Sequence, residues 1–179
     1  MGVRAESAFD LIVRGGTVVR ASGSLVADVA VLDGHIAAVE ASIPAEAATR
    51  VIDAAGLLVL PGVIDVHTHT RIASDEEPDR FFADTVAAAF GGTTTLLTFN
   101  NPGTGISDGV RGSLLGGVRE WIDRTAGDAA VDVGLSAVIT SQQHDPVTDL
   151  AAITDLGVAS AKCFLVYDFG IDETLLAVA

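Results

Sequence analysis

The chain has 179 residues, 49% of them hydrophobic and 19% charged, which excludes a disordered chain and allows one core or one domain plus an appendage. A net charge of −14 excludes the basic footprint that nucleic acid or an anionic membrane surface requires. Mean hydropathy is +0.48, yet the longest apolar run, 57–64, is broken by Pro61 and Gly62 and falls well short of the ~20 residues of a membrane span.

Residues 1–8 read as a short tail without a basic stretch leading into an apolar one, so no export signal is expected. Residues 9–20 predict two short strands around Gly15-Gly16. Strands over 25–32 and 35–40 flank Asp33-Gly34, a strong signal for a two-residue hairpin turn. A loop over 41–48 and a short strand over 50–53 follow. Residues 1–55 are therefore expected to be a small all-β unit. His35, just past the hairpin turn, reads as a solvated turn residue rather than a ligand.

From residue 57 strands and helices alternate. A strand over 58–67 carries His67, with His69 just beyond it. A helix over 79–90 has Phe82, Val86, Ala89 and Phe90 at helical spacing and stops at Gly91-Gly92. The run TTTLLTF over 93–99 predicts a buried strand. A polar loop over 100–109 leads to a helix over 110–124, and a strand over 131–139 follows. Pro146 opens a helix that Gly157 ends. A strand over 158–166 and a last helix capped by Asp172 complete the series. This β-α-β-α-β-α-β-α order implies parallel strands, either in an open doubly wound sheet or in half of a (β/α)8 barrel. A whole barrel needs about 250 residues.

Residue types suited to chemistry gather at the C-terminal ends of these strands, the edge where parallel α/β proteins build active sites. His67 and His69, two residues apart, would project to one face and can share a divalent ion. Asp65 has the same parity and could orient an imidazole or make a structural hydrogen bond. Lys162 sits in an apolar strand, where a lysine is costly unless paired or neutral. It could reach water, form a salt bridge or Schiff base, or bind metal once carbamylated. Cys163 alternates to the other face and reads as a packed thiol; as the only cysteine it fits a reducing cytoplasm. Tyr167 could donate to a developing oxyanion or simply pack. Arg71 could hold a substrate carboxylate or be a surface charge, and Asn101 could contact substrate or shape a turn. His144 reads as a loop residue. No G-x-G-x-x-G, Walker A, G-x-S-x-G or C-x-x-C motif is present.

These stretches together resemble a known family. VLPGVIDVHTH over 59–69 looks like the first barrel strand of the amidohydrolase superfamily, and within it the dihydropyrimidinase/hydantoinase branch. FDLIVRGGTVV, VADVAVLDGHIAAV and VIDAAGLLVLPG resemble that branch's β-sandwich start. AAAFGGTTT over 87–95 resembles its second unit. AKCFLVY over 161–167, with DETLL after it, resembles the strand bearing its carbamylated lysine and catalytic tyrosine.

The resemblance implies a partial β-sandwich over 1–55 and the first four βα units of a TIM-type (β/α)8 barrel over 56–179. It implies two divalent ions, usually zinc, with manganese, cobalt or iron as alternatives. His67 and His69 would bind one ion and N6-carboxylated Lys162 would bridge both. A metal-bound hydroxide would attack the ring carbonyl of a small cyclic amide, a dihydropyrimidine or hydantoin, with Tyr167 stabilising the oxyanion. A cytoplasmic dimer or tetramer is expected of the full-length form. Arg71 and Asn101 fall where dihydroorotase-like relatives hold a carboxylate, so a dihydroorotase- or allantoinase-like reaction is the alternative. The family's later ligands, two histidines and an aspartate, have no counterpart after Lys162. The chain is therefore expected to be incomplete and to show little activity alone. A non-catalytic relative, or a small binding protein with a structural histidine pair, are the remaining readings.

Overall fold

A computed structural model describes residues 8–100, 112–168 and 170–171. The chain forms two compact units that divide between Pro61 and Gly62.

The first unit is a five-stranded sheet of β1 (Phe9–Arg20), β2 (Gly23–Leu32), β3 (His35–Glu40), β4 (Ala48–Asp53) and β5 (Leu58–Val59). Its order is β3-β2-β1-β4, with β5 also pairing with β1. The expected hairpin is there: Asp33 (φ 51°) and Gly34 (φ 76°) turn the chain, and Leu32 faces His35 across the pair. Residues 9–20 form one strand rather than two. Instead of breaking at Gly15-Gly16, β1 bulges, and its register on β2 shifts between Val13 and Gly16. The bulge is held by Asp28. Its Oδ1 accepts from the Gly15 N–H at 2.7 Å and its Oδ2 from the Ile43 N–H at 2.8 Å. A buried carboxylate is tolerable when both oxygens accept hydrogen bonds in this way.

The second unit contains β6 (Val63–Asp65), α1 (Arg80–Phe90), β7 (Thr93–Phe99), α2 (Leu114–Thr125), β8 (Asp132–Ile139), α3 (Pro146–Asp155) and β9 (Ala161–Cys163). The strands are parallel in the order β6-β7-β8-β9. The strand expected over 58–67 is divided: Leu58–Val59 pairs with β1, and Val63–Asp65 pairs with β7. Pro61 has no N–H for a ladder between them. The units accordingly divide at 61/62 rather than at 55/56.

One helix face differs from expectation. In α1 the buried residues are Phe81 and Thr85, while Phe82 and Phe90 are exposed, Phe90 to 91%. The strand expected over 158–166 is shorter, Ala161–Cys163. In α2 the helix begins at Leu114 behind Ser113, whose Oγ accepts from the Gly116 N–H. Of the expected loop over 100–109, residues 101–109 lie outside the described residues, as do residues 110–111 and the helix expected to be capped by Asp172.

Core composition settles the architecture that strand order alone leaves open. Phe81 of α1, Leu114, Val118 and Trp121 of α2 and Ile153 of α3 share one core with Leu135, Ala137 and Ile139 of β8. Those β8 residues alternate, so they lie on one face of the sheet. All three helices therefore cover the same face, as around a barrel, whereas a doubly wound sheet carries helices on both. The unit is half of a (β/α)8 barrel. The outer strands leave apolar side chains exposed, Val63 and Ile64 in β6 with Val66 just after it, and Leu165 and Val166 beyond β9. No described helix is long and apolar enough to cross a membrane.

Candidate active site

The face of the sheet opposite the helices carries the candidate site. Phe99 ends β7 and is paired in register with Ser136 of β8; Val138 is paired with Lys162 of β9. Cys163 falls on the helix side and packs against the core there, as a packed thiol should. Burial pushes its thiol pKa above the ordinary value.

His67 and His69 follow β6. Their ring centroids are 5.8 Å apart. Two imidazoles sharing a tetrahedral ion at ~2.0–2.1 Å would have centroids about 5 Å apart. Phe99 stands beside both rings, 5.1 Å from His67 and 5.0 Å from His69. The Lys162 Nζ lies 5.3 Å from the same Phe99 centroid. The three candidate metal-binding residues, from the first and fourth strands, thus gather around one aromatic ring on the second. Among the described residues no group of three or more His, Cys, Asp or Glu could hold an ion.

Asp65 Oδ1 accepts from the His67 backbone N–H at 3.0 Å, so this carboxylate fixes the chain as it leaves β6. Asp84 of α1 performs a similar task one turn later. It accepts from the Arg71 N–H at 3.2 Å and pairs with Arg80 at 3.3 Å. Arg71 is exposed and lines a cleft of about 380 Å³ together with Asp65, His69 and Asp84.

Tyr167 is 57% exposed. The Gly170 N–H donates to its carbonyl, and the Ile171 N–H to that of Phe164, which ties residues 170–171 to 164–167. The Tyr167 ring then packs edge-on against Phe164 at 5.3 Å. Phe164 in turn lies 5.3 Å from Lys162 Nζ, so it links the tyrosine to the cluster. Gln143 closes the end of β8, accepting from the Thr140 N–H and donating to the Val138 carbonyl. The His144 N–H donates to the Gly112 carbonyl, consistent with a loop role. Asn101 lies outside the described residues.

Sequence reasoning missed Phe99 and the part played by Asn100. Asn100 is fully buried and its Oδ1 accepts from the Val138 N–H at 2.8 Å. The available signal was their position, the last residues of an apolar strand at the functional edge.

Comparison with known proteins adds an independent line. No family model matches the chain. It is 38% identical over 161 residues to the D-hydantoinase of Ralstonia pickettii, covering 88% of this chain and 33% of that protein. The chain is related to the N-terminal portion of the hydantoinase/dihydropyrimidinase family. Dihydropyrimidinase 1 of Caenorhabditis elegans, a second member, is 36% identical over 88% of this chain and 32% of its own length. A solved D-hydantoinase structure superposes with a TM-score of 0.77 at 36% identity, covering 94% of this chain and 36% of that one. The chain spans about a third of the length of the curated hydantoinases and dihydropyrimidinases it matches.

Proposed function

We propose that this chain carries part of the metal centre of a hydrolase that opens a small cyclic amide of the hydantoin or dihydropyrimidine class. The gathering of His67, His69 and Lys162 around Phe99 carries the reading. The names of the relatives, hydantoinase and dihydropyrimidinase, supply the substrate class. His67, His69 and Lys162, the last as its carbamate, would be the residues here that hold divalent ions, zinc in the first instance. When bound, the ions supply Lewis-acid activation of water and of the ring carbonyl. The chain's own residues do the rest. Tyr167 would donate a hydrogen bond to the carbonyl oxygen as it gains charge. The Tyr167 ring packs against Phe164, and Asp65 and Asp84 fix the backbone on either side of the histidines.

A second reading, a dihydroorotase- or allantoinase-like reaction, is favoured by Arg71, which lines the same cleft as His69. A guanidinium there suits a ring substrate bearing a carboxylate.

The test is metal content after expression with zinc. The wild-type chain is expected to retain metal, and the His67→Asn/His69→Asn double variant to lose it. Retention by the double variant would overturn the reading. Assays with hydantoin, dihydrouracil and dihydroorotate then separate the substrate classes in a chain that completes the site.

A further inference from the structure

Both candidate histidines are exposed, so burial does not fix their rotamers. The wall common to both is Phe99, edge-on to His67 with an interplanar angle of 76° and tilted 43° from His69. Phe99 itself is only 4% exposed. Its position is locked from the next residue, because Asn100 Oδ1 takes the Val138 N–H. Val138 is the register partner of Lys162, so the lock that holds the ring also bears on the lysine's strand. Phe99 has no donor atom and would touch neither metal nor substrate through one.

We propose that Phe99 is a positioning residue: its ring sets the orientation of His67 and His69 and the approach of Lys162 before any ion arrives. The inference rests on the metal-centre reading above. It adds a residue that acts through the ligands, by the same logic by which groups behind a metal's direct ligands tune affinity.

The experiment titrates the 179-residue chain with Co2+, reading affinity and the visible absorption band, alongside thermal melts. Phe99→Leu should weaken Co2+ binding about tenfold or more and alter the band, while the ring-retaining Phe99→Tyr should stay within about threefold of wild type. A purely structural role would lower the melting temperature and leave the affinity and band of the folded fraction unchanged. Equal affinity in wild type and Phe99→Leu would overturn the positioning role alone. Absence of metal binding by the wild-type chain would overturn the metal-centre reading and this inference with it. If Phe99→Leu does not fold, NMR of the wild-type chain decides the matter. Cross-relaxation between Phe99 ring protons and both imidazoles in the metal-free chain supports positioning, and its absence refutes it.

Discussion

Gly62 packs directly against Thr94: a Cβ on the glycine would lie 2.7 Å from the threonine Cβ, closer than carbon atoms approach. The contact brings the start of β6 onto β7, next to the bond from the Val63 N–H to the Gly92 carbonyl. Gly62→Ala should therefore cost about 1–3 kcal/mol through overpacking. Thr94→Gly should absorb part of that clash, so the double variant should be less destabilised than the sum of the singles. Urea denaturation of the four proteins checks this, and additive costs would count against the contact.

Asp28 places two backbone N–H groups on one buried carboxylate. Asp28→Ala would leave both donors without a partner, at about 2–4 kcal/mol in all. Asp28→Asn keeps one acceptor and should cost less. Denaturation followed by a probe placed in the first unit measures it, and equal stability of all three proteins would show that the bulge does not depend on this side chain.

Asp149 of α3 works at a distance in sequence. Its Oδ2 accepts from Ser113 Oγ and from the Leu115 N–H, each at 2.9 Å, so one helix caps the start of another. Asp149→Ala should destabilise the second unit by about 1–2 kcal/mol. Hydrogen exchange should speed up in the first turn of α2 before it does in β7.

Cys163 offers a readout in pH. Burial raises its pKa in the folded chain, so folding favours the neutral thiol. That contribution is complete below the unfolded pKa of about 8.5 and is lost as pH rises through the folded value. At pH 8 a disulfide reagent should modify the native thiol more slowly than the urea-unfolded one, and the native rate should climb only at higher pH. Equal rates in both states would place the thiol in water.

Much of the second unit was legible in the sequence because its signals are local. The β-branched run over 93–99 forms β7 over the same residues, and Gly91-Gly92 ends α1 as expected. The buried face of α1 was misread because Thr85 does not count as apolar. Its hydroxyl donates to the Phe82 carbonyl and accepts from the Ala130 N–H, which lets a polar side chain occupy the core. The histidine pair, Lys162 and Tyr167 could be picked out by residue type and strand position. Phe99 could not, because a phenylalanine at the end of an apolar strand looks the same whether it faces the helices or the opposite side. Only the pairing of Phe99 with Ser136 and of Val138 with Lys162 assigns that face.

The parallel sheet has its strands in chain order, each new one laid beside the last. Every crossover joins neighbours, so the sheet can grow by accretion while the chain is still leaving the ribosome. His67, His69 and Phe99 are laid down first, with β6 and β7, and Lys162 is delivered two strands later against a surface already in place. A nascent chain halted after β8 would present the imidazoles and their aromatic wall with no lysine opposite. The cluster can thus be built in the order of synthesis, with Lys162 the last of these residues to join it.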